Sequence, residues 1–257
     1  MDYRFFNQGL WTLSRREIAR VIRLWRQTVF PSVVTTVLYF AIFGFVLGSR
    51  VGLVDGVAYP LFVAPGLVML SVTVNSYSNA AFSTYIEKFH GAIEEVLASP
   101  LSDHQIIVGF LLGGLFRGFV CSILVLLMCF VFLGYQLHHP FLFVLAGLLT
   151  ACMFSLMGVA NGLVATGFDG LNVVATLILS PLTMLGGVFY SVNMLPPFWQ
   201  SIAWFNPLLY IGNLYRYAML GITNIDPNLV FIVLLVNIVL LYALSLFIMR
   251  RTTYVRQ

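Results

Sequence analysis

From Gln27 to Ser49, and again from Gly56 to Ile86, no residue carries a charge. About 20 apolar residues in a helix are enough to cross the hydrocarbon of a bilayer. Backbone groups at that depth have no water to bind, so they must pair within their own helix. These two stretches predict membrane-spanning helices, the second with Pro60 and Pro65 near its start. A third runs from about Ile106 to Leu133 and contains Arg117. The residues from Gly134 to Pro140 break the pattern, and the fourth runs from Phe141 to Ala165. A short turn at 166–170 leads into the fifth, Leu171 to Tyr190, and the sixth covers Leu229 to Met249.

Composition excludes the soluble alternative. Only 9% of residues are charged and 60% are hydrophobic, with a mean hydropathy of +0.97. Soluble domains carry roughly 25% charged residues. The net charge of +4 reflects arginines outside the membrane core, not a nucleic-acid surface. Arg4, Arg15, Arg16, Arg20, Arg23 and Arg26 precede span one, Lys88 follows span two, and Arg250, Arg251 and Arg256 follow span six. The other side has only Arg50 and Arg216. The positive-inside rule then predicts cytoplasmic termini in a multi-pass protein of a bacterial inner membrane. The arginine-rich start lacks the form of a cleavable signal, so span one is expected to act as the insertion signal.

No internal repeat or linker divides the chain, which reads as one transmembrane domain over 1–257. Its expected parts are an interfacial helix over 1–26, spans one to five over 27–190, an external segment over 191–227, span six over 228–249 and a cytoplasmic tail over 250–257. In the first part, Ile18, Val21, Ile22 and Trp25 share one helical face, with Arg16, Arg20 and Arg23 opposite. That pattern predicts an amphipathic helix lying in the cytoplasmic interface.

Much chemistry is missing. There is no G-x-x-x-x-G-K-[ST], no H-E-x-x-H and no G-x-S-x-G. An enzyme is the least favoured class, because no nucleophile–base or metal constellation is visible. The predicted spans contain no Asp or Glu. Ion-coupled carriers keep acidic relays inside the membrane, which counts against an ATP-independent secondary carrier. A non-transporting anchor or sensor would not need the polar run in span two, where Asn75, Tyr77 and Asn79 sit among Ser71, Thr73, Ser76 and Ser78. That run either lines a path or bonds to neighbouring helices. Arg117 either meets an anionic substrate or pins its helix to a neighbour, and the second reading is favoured. Gly109/Gly113 and Gly114/Gly118 form small-xxx-small pairs suited to close packing, and Asn161 is read as structural. Cys121, Cys129 and Cys152 read as buried small apolar residues. His138-His139 lacks a third ligand, so no metal is expected.

Energy for transport against a gradient would then enter from another protein at the cytoplasmic face. The segment Glu94-Glu95-Val96-Leu97-Ala98-Ser99-Pro100 offers an apolar strip beside two acids, ended by proline, and suits either docking on a partner or a solvated hairpin.

The most unusual stretch is Leu179 to Arg216. An apolar helix meets Gly186-Gly187, then Leu195-Pro196-Pro197, a tryptophan-bearing patch with Trp199 and Trp204, Pro207-Leu208-Leu209-Tyr210, and Arg216. Glycine lets a backbone turn and proline removes a helix donor. The pattern predicts a helix that leaves the membrane and partly re-enters. With Leu182, Leu185 and Val188 it resembles the signature of ABC-2 type permeases, the membrane subunits of a class of ATP-driven exporters, and the whole chain is similar to the compact NodJ/YadH-like branch. The resemblance implies an all-α membrane fold of six spans with an interfacial helix, a cytoplasmic coupling helix and re-entrant external helices. It implies a homodimer paired through spans one and five, moved by two separate ATPase subunits that carry the ATP and Mg; no cofactor is expected on this chain. It makes Glu94, Glu95, Val96, Leu97 and Pro100 the coupling contact. The external gate would be Gly186, Gly187, Leu195, Pro196, Pro197, Pro207, Tyr210 and Arg216, and the path would be Asn75, Tyr77, Asn79 and Arg117. The implied cargo is a glycan, a lipid-linked molecule or another hydrophobic compound.

Overall fold

The computed structural model describes residues 3–91, 101–134 and 136–254. Among these, six helices are long and apolar enough to cross a membrane: Trp25–Gly44, Tyr59–Phe89, Asp103–Leu133, Pro140–Val164, Phe168–Leu185 and Pro227–Arg251, here spans one to six. Span two is the centre of the bundle. Ala64, Val68, Val72, Ser76, Ala80 and Thr84 follow one another at four-residue steps and are all fully buried. Small residues on its neighbours make that possible. A methyl group added at Gly114 of span three would lie 2.8 Å from the Ser76 carbonyl, and one added at Gly162 of span four 2.7 Å from that of Ala81. Backbones this close gain dispersion contacts that lipid tails cannot supply.

Span three begins at a capping box, in which Ser102 and Gln105 each bond the other's backbone N–H. It ends at Gly134 in the left-handed region, φ 60°. Span four ends where Lys88 reaches across from span two and donates to the carbonyls of Leu163 (2.8 Å) and Ala165 (3.0 Å). A cation at a helix C-terminus satisfies carbonyls that have no intrahelical donor.

Two of the boundary differences have a clear backbone cause. Span two starts at Tyr59 rather than Gly56, because Leu53–Val54 and Val57–Ala58 form a small antiparallel hairpin. Asp55 and Gly56 both have positive φ (49° and 81°), the geometry of a tight hairpin turn. Span five stops at Leu185 rather than Tyr190, since Gly187 takes φ 72° and reverses the chain. Spans one and five each contain a π-helical stretch, Phe40–Val46 and Val174–Leu179. In span five, Pro181 has no N–H for the Leu177 carbonyl, and the Ser180 hydroxyl donates to the Ala175 carbonyl five residues back.

The N-terminal helix, Tyr3–Arg23, packs along span three and reaches span two through Arg16 and Glu17. Gly109 faces its Leu13 and Gly113 faces its Glu17. Its surface divides three ways. Leu13, Ser14, Glu17 and Val21 are buried against the bundle, while Trp11, Ile22 and, beyond its end, Trp25 stay exposed beside the arginines. Arg16 and Arg20 turn back to carboxylates on and beside the helix.

Between spans five and six lie a 3₁₀ turn, Val192–Met194, and two helices, Pro197–Ala203 and Pro207–Leu220. The first carries exposed Phe198 and Trp199, whereas the second packs back among spans two, four and six with Leu208, Ile211, Tyr215 and Ala218 fully buried.

Candidate functional site

A cleft of about 410 Å³ lies between spans one, two and five. Span one contributes Ser32, Thr35, Thr36 and Tyr39, span two Ser71, Asn75, Tyr77 and Ser78, and span five Thr176, Ser180 and Thr183. Leu67, Val74, Leu179 and Met184 supply apolar wall. Among the described residues no Asp, Glu, Lys or Arg lines it, so its polarity there is that of hydroxyl and amide groups. The Ser32 hydroxyl donates to Asn75 Oδ1 (2.9 Å), while Asn75 Nδ2 donates to the Ser71 carbonyl (2.9 Å), which ties span one to span two along one wall. The π-helical turn of span five lies in the opposite wall, with Ala175 and Thr176 on it. Such turns recur at functional sites because they offset side chains and free carbonyls.

At the end of the cleft beside the Gly186-Gly187 turn, Phe189 stacks on Phe43 of span one (centroids 4.2 Å apart) and tilts against Tyr39 (5.7 Å). Tyr59 at the start of span two holds the backbone there by donating to the Phe189 carbonyl (3.0 Å). Burial raises the Tyr190 phenol above its ordinary pKa, so its hydroxyl stays protonated and donates to the Met184 carbonyl (2.7 Å).

The four residues expected on the path separate. Asn75 and Tyr77 line the cleft; Asn79 and Arg117 do not. Tyr77 also donates to the Leu171 carbonyl (3.1 Å) and accepts from Asn161 (2.7 Å), which joins spans two, four and five. Asn79 faces Gly113. Arg117 donates to the Thr28 carbonyl (3.0 Å), at the break in span one just ahead of Pro31.

Of the signature residues, Arg216 and the start of the Pro207–Leu220 helix meet the 186–190 turn, whereas Leu195, Pro196, Pro197 and Tyr210 make their contacts beyond it. Arg216 donates to the Gly187 carbonyl and lies over the Phe62 ring at 4.2 Å. A methyl group at Gly186 would meet Leu208 at 2.9 Å, so the Pro207–Leu220 helix sits directly on the turn. Asn206 caps that helix through the Leu208 N–H (3.0 Å) and reaches the Leu182 carbonyl of span five (2.6 Å). Pro207 takes its first position, where no donor is needed. Pro196 and Pro197 start the preceding short helix after Leu195, whose carbonyl accepts from Gln200 (2.8 Å). Tyr210 donates to the Trp204 carbonyl (2.9 Å).

Glu94, Glu95, Val96, Leu97 and Pro100 lie outside the described residues. Cys121 and Cys129 are buried and Cys152 is half-buried. Among the described residues no three His, Cys, Asp or Glu side chains are grouped to hold a metal. The sequence reading missed Glu17. Only 1% of its side chain is exposed, and it meets Ser83 of span two and Arg20 (2.8 Å). An acid amid arginines looked like part of a solvated stretch. The one available signal was its four-residue offset from Leu13 and Val21.

A model of the ABC-2 type transporter family matches residues 8–220. That range takes in most of the N-terminal helix, the cleft and the whole 186–216 cluster. The chain belongs to the ABC-2 type transporter family. It is 44% identical to the inner membrane transport permease YadH of Escherichia coli strain K12, over 95% of each chain. It is 28% identical to nodulation protein J of Rhizobium leguminosarum bv. viciae, over 88% of this chain and 90% of the relative. A nodulation protein J from Sinorhizobium fredii is also 28% identical, over 69% and 68%. The expected family and the six-span helical class therefore hold. This permease is a multi-pass membrane protein of a transport family whose members generally pair with an ABC ATPase.

Proposed function

We propose that the chain is the membrane subunit of an ATP-driven exporter in a bacterial inner membrane, with both termini cytoplasmic. Two copies form the path, and a separate ATPase subunit carries the ATP and Mg. The observation that carries this reading is the neutral polar cleft between spans one, two and five. It is flanked by an outward stripe of span one, Phe30, Val34, Leu38 and Ile42. A second copy on that stripe would enclose the hydroxyls in a shared passage. Asn75, Tyr77 and the span-one hydroxyls would contact cargo; Asn79 and Arg117 would hold helices. The cargo is a glycan, a lipid-linked molecule or another hydrophobic compound. Hydroxyl and amide walls suit an uncharged hydrogen-bonding surface, since an unpaired charge there would pay its full desolvation cost.

In this reading the N-terminal helix lies in the cytoplasmic interface, with Trp11, Ile22 and Trp25 toward lipid. The residues 94–100 contact the ATPase. The Pro197–Ala203 and Pro207–Leu220 helices dip back toward the membrane as the outer gate. The test is to isolate the tagged chain gently from native membranes and identify its companions by mass spectrometry. A stoichiometric P-loop ATPase is expected, lost when Glu94 and Glu95 are reversed to Lys. An intact dimer that brings down no ATPase even after cross-linking overturns the reading.

A further inference from the structure

A buried charge-bearing cluster lies apart from the cleft. Glu17, on the N-terminal helix, is 1% exposed. Its Oε2 accepts from the Ser83 hydroxyl of span two and from Arg20 (2.8 Å). Arg16 bridges to Glu87, one turn further along span two (3.0 Å). Gly113 of span three leaves room for the carboxylate, because a methyl group there would lie 3.3 Å from Oε2. One buried acid thus ties the N-terminal helix to span two, with span three as its floor. A buried carboxylate is costly unless charge-assisted bonds surround it. Apolar packing through Leu13 and Val21 alone would hold the helix at less expense.

Span two carries the tie on one side and the cleft on the other. Ser83 lies nine residues from Val74 and five from Ser78, which at 3.6 residues per turn places it about 180° and 140° around the helix from them. The intervening backbone is unbroken helix with buried flanks. A displacement of the N-terminal helix therefore reaches the cleft wall through a rigid rod and not through a loop.

We propose that Glu17 is a positioning residue for energy coupling: through Ser83 it makes the N-terminal helix and span two move as one body, so that motion of the docked ATPase reaches the cleft. This rests on the reading that an ATPase binds beneath the chain. The geometry also predicts which contacts matter. Ser83→Ala cuts the Glu17 tie to span two while leaving the Glu17–Arg20 pair and the Arg16–Glu87 bridge in place. Glu17→Gln keeps the volume but replaces the charge-assisted bonds to Ser83 and Arg20 with weaker neutral ones.

The experiment uses the full complex with its ATPase in nanodiscs. Cys121, Cys129 and Cys152 are replaced by Ala, and Ser78→Cys is the probe in the cleft. The rate of fluorescein-maleimide labelling is read with and without ATP, Mg and vanadate, beside the rate of ATP hydrolysis. With Glu17 and Ser83 intact, nucleotide trapping is expected to change labelling by about fivefold or more. In Ser83→Ala and in Glu17→Gln the change collapses to less than about twofold while the ATPase stays bound and hydrolyses ATP. No nucleotide response with the tie intact refutes the ATPase reading itself. An undiminished response in both variants overturns the coupling role of Glu17. Loss of the folded dimer or of ATPase binding in both also overturns it, because the tie would then only hold the fold.

Discussion

At the scale of single residues, the absence of a side chain does as much as its presence. A methyl group at Gly158 of span four would lie 2.5 Å from the Tyr77 carbonyl, whereas Gly167, in the turn after span four, has nothing within 4 Å. Gly158→Leu is expected to destabilise the bundle by about 1–3 kcal/mol or more, and Gly167→Ala to leave it unchanged. The thermal unfolding midpoint of the purified protein in detergent checks the pair. Lys88 makes the converse case. Lys88→Met leaves the Leu163 and Ala165 carbonyls without their charged donor, a loss of about 1.5–3 kcal/mol. Lys88→Arg is expected to restore most of it in the same assay. Gly114/Gly118 was legible as a packing pair, but the equivalent role of Gly158 and Gly162 was not, since glycine in an apolar run does not reveal which neighbour approaches it. Glu17 was illegible for a related reason. Its burial depends on Ser83 and Gly113, which are distant in the sequence and meet it only after the bundle has formed.

At the scale of elements, the 186–190 turn is tied to the bundle from three sides. Arg216, Tyr59 and the Phe43 ring each hold it from a different helix. Phe189→Ala removes the stack that closes the cleft at this end. A membrane-impermeant maleimide added from outside is expected to label Thr183→Cys about fivefold faster in that variant, a shift of about 1 kcal/mol in the closing equilibrium. Equal rates would show that the aromatic stack does not control access. Arg216→Met is expected to speed amide exchange across residues 186–195 while spans two and four keep their protection. Hydrogen exchange read by mass spectrometry checks this. The double glycine announced a turn in the sequence, and Gly187 makes one. Its partners were hidden, since nothing local couples Arg216 to a carbonyl 29 positions earlier. The two π-helical stretches were equally hidden. They keep the apolar character of ordinary helix and change only which carbonyl each amide meets.

At the scale of the whole molecule, six spans could be read from hydropathy because the bilayer demands long runs of internally bonded backbone. Which spans sit at the centre could not be read so directly. Both spans two and six are long enough to cross, yet the less apolar span two is surrounded by protein and the strongly apolar span six presents Leu235, Val239 and Leu240 outward. The polar residues of span two marked the difference, for a lipid-facing helix would not carry them. The proposed dimer makes a geometric prediction. Leu38→Cys on span one and Leu177→Cys on span five should each form disulfide-linked dimers under mild oxidation, and Leu240→Cys on span six should not. Cross-linking through Leu240→Cys alone would move the interface to the other side of the bundle.

Lys88 is the one lysine in the chain, and its ammonium is occupied by the end of span four. Amine-directed chemistry therefore finds, besides the chain's own N-terminal amine, a single nucleophile, and that nucleophile is held shut by the fold. Acylation of Lys88 becomes a built-in clock for the parting of spans two and four. A reagent such as acetic anhydride would time that opening in native membranes with no engineered label, and a change of rate on nucleotide binding would register the bundle's motion directly.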